Sequence, residues 1–213
     1  WVRDVIQYLP EGTEFVFDEA ASTDGTREIL ARMCSKYPFI RVMYHEKKDG
    51  FANAARRLYA EARCPLVFFT DSDGQYVASD FWKLAKFMDR FELVHGVKLG
   101  RKDPFFRRFF SMLFNKAVFF LYQMPFIDIN SAFRLMRREV VETILPKLHV
   151  MPTLINAEFL IRAEVENFTI KQVYVTHRFR SDGASRGLPT QRYFLEGLKA
   201  FRGLFDIKAE YRR

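Results

Sequence analysis

The sequence predicts an α/β domain, a mainly parallel sheet flanked by helices and formed by the whole chain, 1–213. Three observations carry this. Strand and helix patterns alternate at short spacing through the first half, the mark of a sheet with helical crossovers. The run Pro65-Leu66-Val67-Phe68-Phe69-Thr70 is continuously apolar, as strands covered on both faces are. Finally, 49% of the 213 residues are apolar, and no repeat, low-complexity tract or Pro/Gly-rich linker divides them, so one core suffices.

Glu14 to Asp18 reads as the first strand. Ser22-Thr23-Asp24-Gly25-Thr26 then offers helix-capping chemistry, with Asp24 as an N-cap, and a helical pattern runs to about Lys36. Phe39 to Tyr44 is a second strand, after which Asp49-Gly50 turns the chain into an Ala-rich helix ending near Arg63. The apolar run 65–70 ends in Asp71-Ser72-Asp73-Gly74, and a helix follows from about Ala78 to Asp89. A weaker strand covers Leu93 to Leu99. A Phe-rich helix runs from Pro104 to about Gln123, with Asp103 as its N-cap and Pro104 at its first position. Arg134 to Met136 is a short strand, followed by helices at 138–145 and 154–166. Residues 169–175 alternate as a half-buried strand does. Arg178 to Pro189 is a basic loop, and an amphipathic helix from about Gln191 to Phe205 closes the pattern.

The charge balance is 34 Lys+Arg against 26 Asp+Glu, or +8. Such an excess suits nucleic acid, an anionic membrane face or a phosphorylated small substrate. No nucleic-acid recognition motif accompanies it, so nucleic acid is not an expected partner. Cys34 and Cys64 are the only cysteines, which favours a reduced, cytoplasmic setting over a disulfide framework. The most apolar window, Phe109 to Phe126, contains Ser111, Asn115, Lys116 and Gln123. About 20 cleanly apolar residues are needed to span a bilayer, so no transmembrane helix is expected. There are 24 Phe residues, several of them in the stretch 104–124, where apolar residues surround almost the whole helix rather than one stripe. That stretch is read either as core or as a helix at a membrane interface, with arginines at headgroup level.

Chemistry concentrates in three places. Asp71 and Asp73, spaced i, i+2 with Gln75 beside them, follow a buried strand at the end where open sheets bind ligands. Two carboxylates held together repel unless a cation neutralises them, and hard oxygen donors suit Mg²⁺ or Mn²⁺; the alternative is a plain Asp/Gly turn. Glu19 stands at another strand tip, where a carboxylate can accept hydrogen bonds from a ribose or a base. Arg101, Arg107, Arg108 and Ser111, then Arg178, Arg180 and Ser185, supply cations with hydroxyl company. Arg107 and Ser111 share a helix face at i, i+4, a pairing suited to phosphate oxygens.

Together these residues resemble an inverting family 2 glycosyltransferase of the GT-A fold, most closely the dolichol- or polyprenyl-phosphate sugar transferases. Ser22-Thr23-Asp24-Gly25-Thr26 is similar to the family's strand-two motif, and Asp71-Ser72-Asp73-Gly74-Gln75 to its metal-binding motif. Arg107-x-x-x-Ser111 resembles its phosphate-contacting helix. Asp128 to Arg134 resembles its D-x-x-S-G-F-R segment, with Ala132 for the usual Gly, and Arg180 to Ser185 its R-x-x-G-x-S loop. The resemblance implies a divalent cation, Mg²⁺ or Mn²⁺, held by Asp71, Asp73 and Gln75 on the diphosphate of a UDP- or GDP-linked sugar. It implies nucleoside contact by Glu19, and phosphate contacts by Arg107, Ser111 and Arg180, with Arg101 as a further donor-side cation. Asp128 and Arg134 would shape the pocket. A polyprenyl phosphate acceptor is already ionised and needs no base, whereas a sugar hydroxyl would; Glu158 is the candidate base for that case.

Two departures from the family pattern stand out. Glu19-Ala20-Ala21 keeps one of two adjacent acids, and the family's first strand has no counterpart, the chain opening in the helix that should follow it. The expected activity is metal-assisted transfer of a sugar to a polyprenyl phosphate, with inversion, at the cytoplasmic face of a membrane. Transfer to a glycan or other hydroxyl, and a non-catalytic nucleotide- or membrane-binding relative, are the alternatives.

Overall fold

The computed structural model describes residues 7–99, 105–178 and 190–211, the side chains of 105–108 and 190–194 excepted. Six strands and seven α-helices follow one another in these stretches. They are β1 (Phe15–Ala20), α1 (Thr26–Lys36), β2 (Ile40–His45), α2 (Phe51–Glu61), β3 (Leu66–Phe69), α3 (Phe81–Ala85) and β4 (Leu93–Leu99), then α4 (Phe105–Tyr122), β5 (Arg134–Arg137), α5 (Arg138–Ile144), α6 (Ile155–Val165), β6 (Ile170–Thr176) and α7 (Thr190–Glu210). Almost every element lies within a few residues of its sequence-based expectation. The clearest exception is the helix expected over 78–89, which is a 3₁₀ turn at Ala78–Asp80 followed by the five-residue α3. The N-cap expected at Asp103 lies outside the described residues. Gly25, in a left-handed conformation, caps α1 instead of Asp24, while an Asp24 carboxylate oxygen accepts from the Thr26 N–H and hydroxyl.

The strands form two sheets, β2-β1 and β3-β5-β4-β6. β1 and β2 are parallel, in register from Phe15–Ile40 to Ala20–His45, and β4 and β6 are parallel from Leu93–Ile170 to Leu99–Thr176. β5 runs antiparallel to both of its neighbours. The sheet is therefore mixed: its parallel character holds in β1–β2 and β4–β6, and β5 reverses it.

Side chains alternate across the four-stranded sheet, as a strand's period of two requires. Leu93, Met136 and Phe69 enter one core with α2, α5, α6 and α7. Val94, Leu135 and Phe133 enter a second core under α3. The strand buried on both faces is β4, whose residues Leu93–Val97 are all buried. The run 65–70 does not behave that way: Leu66 is 45% exposed, because β3 ends its sheet. Gly96 allows the tight contact of β4 with the chain entering β5. Its N–H donates to the Phe133 carbonyl at 2.7 Å, and a Cβ would sit 2.7 Å from that same oxygen.

Helix α6 is buried from Ile155 to Ala163, so the two charged residues of that stretch, Glu158 and Arg162, must be satisfied inside the protein. Glu158 accepts from the backbone N–H groups of His149, Val150 and Met151 and from Arg162 Nε at 3.0 Å. Arg162 reaches on to Glu210 at 2.8 Å, tying α7 to the core.

Candidate active site

The acidic loop begins where β3 ends. Gly74 adopts φ 78°, a conformation that glycine adopts without steric cost, and lets the chain fold back after Asp73. The Asp73 carboxylate then accepts the Gln75 N–H at 3.1 Å. Gln75 is stitched to the far end of β6. Its carbonyl accepts the Arg178 N–H at 2.7 Å, its side-chain amide donates to the Arg178 carbonyl at 3.2 Å, and Tyr76 bridges to His177. The acidic loop thus abuts the chain just before Arg180.

Asp73 is exposed and Asp71 partly buried. Burial, with the nearby charge of Asp73, pushes the Asp71 carboxyl up to about 6, while Lys98 and Arg134 pull it back down. The charge of Asp73 is therefore close enough to oppose the ionisation of Asp71, the electrostatic condition under which a cation binds.

Behind the loop lies a set of groups drawn from β4, β5 and the segment before β5. Lys98, at the C-terminal end of β4, is 3.6 Å from the Asp128 carboxylate. The Asp128 carbonyl accepts from His95 Nε2 at 2.7 Å, and burial, with the charge of Arg134, lowers His95 to about 3, so its ring is neutral. Arg134 is wholly buried, donates to the Ser131 and Asn156 carbonyls, and lies over the Phe159 ring at 5.3 Å. It shapes the interior beneath the site and is closed to ligand. Ser131 bonds the Tyr76 hydroxyl at 3.0 Å, joining that segment to the acidic loop.

The tips of β1 and β2 are cross-braced. Glu19 is 3% exposed and accepts the Ser22 N–H at 2.6 Å and Arg27 Nε at 2.7 Å. Burial opposes its ionised form, but these donors outweigh it and hold its pKa below the ordinary value. Arg27 also donates to the His45 carbonyl and lies 5.4 Å from the Tyr44 ring centre. On the other face Asp18 is gripped by Arg57, which also binds Asp49, and by His45. Ala21 carries the turn between them at φ 50°, where a side chain is strained.

Asp71, Asp73 and Gln75 come together in one loop. Ser111 lies on α4, partly buried, and Arg107 one turn earlier on the same helix, its side chain outside the described residues. Arg101 and Arg180 also lie outside them. Two expected site residues are already engaged within the fold. Glu19 is buried, and its two oxygens accept from Ser22 and Arg27 at the strand tip. Glu158 does not fit a general base, because it is fully buried and four donors occupy its carboxylate. Lys98 was not singled out, because it lies within β4, one residue before the strand's end, and only the fold brings it to Asp128.

The model of glycosyl transferase family 2 matches residues 2–145. Curated relatives include two dolichyl-phosphate beta-glucosyltransferases. One, from Trichomonas vaginalis, is 23% identical over 78% of this chain and 53% of its own length. The other, from Saccharomyces cerevisiae, is 23% identical over 99% of this chain and 70% of its own. The chain thus spans about half the length of the first and rather more of the second. Among solved structures, glucosyl-3-phosphoglycerate synthase from Mycobacterium tuberculosis, in complex with Mn²⁺, UDP and glucosyl-3-phosphoglycerate, superposes with a TM-score of 0.67 at 20% identity, covering 96% of this chain and 73% of that one. A mannosyltransferase from Pyrobaculum calidifontis, in complex with GDP-Man and Mn²⁺, gives 0.62 at 19% identity over 94% and 59%. The fold is that of the GT-A glycosyltransferases.

Proposed function

The chain belongs to glycosyl transferase family 2, and from that premise we propose that the protein transfers a hexosyl group, with inversion, from a nucleotide sugar to a polyprenyl phosphate, aided by a divalent cation. The observation that carries this reading is the pair Asp71 and Asp73 in one loop just past β3, where burial, and after it the charge of Asp73, raises the Asp71 carboxyl while the ammonium of Lys98 opposes them.

The residues present fit Mg²⁺ or Mn²⁺. Among the described residues no third His, Cys, Asp or Glu joins the pair, so the chain offers two carboxylates and the Gln75 amide and leaves the other positions to phosphate oxygens and water, the way such ions bind. A bound cation would stabilise the nucleoside diphosphate leaving group. Lys98 then supplies a fixed positive charge between Asp71 and Asp128, and Arg101, Arg107, Ser111 and Arg180 hold donor and acceptor phosphates. Glu19 and Arg27 keep the β1 and β2 tips in shape for the nucleoside.

A phosphate acceptor arrives ionised, so positioning and electrostatics suffice for its attack. The dolichyl-phosphate relatives support that acceptor. Removing Glu158 as a base weighs against a hydroxyl acceptor. A peripheral membrane surface also belongs to this reading, at the cytoplasmic face. No helix among the described residues is long and apolar enough to cross a membrane, yet α4 exposes Phe109, Met112, Leu113 and Phe120, and α7 exposes Leu195, Leu198 and Phe205. The two helices are packed together through Phe114 and Phe201 and through the Tyr122 hydroxyl on the Leu204 carbonyl. Such stripes, with Lys116, Lys199 and Arg202 among them, suit an anionic interface.

The test is to incubate the protein with Mn²⁺ or Mg²⁺, a panel of UDP- and GDP-linked hexoses and a short polyprenyl phosphate. Lipid-linked sugar from one donor is expected, abolished by EDTA. No product from any donor overturns the proposal.

A further inference from the structure

Helix α2 touches both sheets. Its Arg57 grips Asp18 on β1 at 2.7 Å, and its Tyr59 stacks on Phe69 of β3 with ring centres 4.7 Å apart. The first residue of the helix, Phe51, meets the same Phe69 edge to face, at 6.5 Å and 71°. The rings thus form a ladder, Phe51 to Phe69 to Tyr59 and on to Phe159, 4.9 Å from Tyr59. The Arg134 guanidinium lies 5.3 Å over that last ring. These are the separations at which aromatic pairs attract. Phe69, Tyr59 and Phe159 are 7%, 2% and 0% exposed, whereas Phe51 is 50% exposed. The ladder is anchored in the core and open at its outer end.

The open ring is held in place by the turn before it. Gly50, at φ 94° and ψ 160°, swings the chain from β2 into the helix through a conformation that glycine adopts without steric cost. The Asp49 carboxylate accepts two bonds from Arg57, at 2.5 and 3.0 Å, and the Asp49 carbonyl accepts from the Asn53 amide at 2.9 Å. That turn is therefore tied to its own helix and, through Arg57, to the tip of β1. A platform fixed before its ligand arrives lowers the ordering cost of binding.

We infer that the exposed ring of Phe51 is the platform on which the nucleobase of the donor stacks, extending the ladder by one member. The inference rests on the proposed transfer from a nucleotide sugar and adds how the base is gripped. Position selects a nucleotide. Phe69, against which Phe51 leans, precedes Asp71 by two residues, a span of at most about 7 Å of chain. The ring and the acidic loop therefore lie within the reach of a single nucleotide. Chemistry selects the base. Glu19, the carboxylate expected to read the nucleoside, has its oxygens engaged by Ser22 and Arg27, which leaves the flat face of the base as the part to be held. A phenyl ring offers no hydrogen bond, only a π-face that any base can cover. Phe51 adds affinity without choosing between bases.

Calorimetry with UDP, GDP and pyrophosphate as probes, each with Mn²⁺, tests this on wild type, Phe51→Leu, Phe51→Trp and, as a control on α1, Ile29→Ala. Phe51→Leu keeps an apolar side chain and loses the ring. It should weaken UDP and GDP by similar factors of about tenfold, the scale of one base–aromatic stack, and leave pyrophosphate within about twofold. Phe51→Trp should bind both nucleotides at least as tightly as wild type, and Ile29→Ala should shift no probe more than about twofold. Unchanged nucleotide binding by Phe51→Leu, equal weakening of pyrophosphate, failure of tryptophan to restore the loss, or no nucleotide binding to wild type would each overturn the platform. Failure of the transfer reading looks different. There, the contrast between nucleotides and pyrophosphate persists while no lipid-linked sugar forms from any donor. If the platform alone is wrong, lipid-linked sugar forms and KM for the nucleotide sugar is the same in Phe51→Leu and wild type.

Discussion

Replacing Glu158 with Gln separates a structural carboxylate from a catalytic one. Glu158 Oε2 accepts the Met151 N–H at 2.7 Å, and Oε1 accepts the His149 and Val150 N–H groups and Arg162 Nε at 3.0–3.1 Å. Glutamine keeps one carbonyl oxygen. Placed at Oε1, it points an NH₂ group at the Met151 N–H, orphaning a buried donor at a cost of about 1–3 kcal/mol. The lost charge leaves Arg162, 1% exposed, with Glu210 as its remaining anion; breaking one arm of a buried pair costs up to about 3–5 kcal/mol. Since Glu210 compensates in part, we expect a net loss of about 4 kcal/mol, or about 8–16 °C in Tm for a chain of this size. Urea unfolding followed by circular dichroism should show a lower midpoint at unchanged slope. Turnover measured where the variant is folded should stay within about threefold of wild type. Unchanged stability with turnover reduced a hundredfold would show that Glu158 is the base after all.

Other outcomes follow from the same geometry. The Asp71 carboxyl, raised to about 6, keeps its proton in the native chain between pH 4 and 6 while the unfolded chain has lost it, so this group makes stability fall as pH rises through that window. A cation must displace that proton, so Mn²⁺ affinity, read by calorimetry in the presence of UDP, should climb with pH up to about 6 and level off above it. Lys98→Met removes the cation between Asp71 and Asp128; kcat/KM should drop at least tenfold with Tm changed by only a few degrees, as an activity assay beside a thermal melt would show. Gly96→Ala drives a Cβ to 2.7 Å from the Phe133 carbonyl, prying β4 from the chain entering β5. A loss of about 3 kcal/mol is expected by denaturant titration. Ala21→Gly relieves a left-handed backbone at φ 50° and should raise Tm by a few degrees, a gain of about 1 kcal/mol.

Much of the fold was legible because local patterns determine local structure. Period-two and period-3.6 apolar spacing located nearly every strand and helix, and the position of Asp71 and Asp73 just past an apolar strand marked the acidic site before any coordinate. What failed did so for one physical reason: burial and pairing belong to neighbours that sequence does not show. Leu66–Phe69 looked like the most buried strand and ends its sheet, whereas Leu93–Leu99, broken by His95 and Gly96, is the most enclosed. Glu19 and Glu158 looked available as ligand and base, yet each is consumed by donors that folding brings to it.

The sequence by itself determined that this chain is an α/β protein with an acidic strand tip, a Phe-rich helix and a basic excess, since composition and periodicity act along the chain. Tertiary structure alone decided that β5 runs against its neighbours, that Lys98 meets Asp128 across thirty residues of chain, and that Met124–Ile127 stands off α4 to leave a groove. Those are contacts between segments distant in sequence. Their energies exist only once the backbone has closed the loops between them.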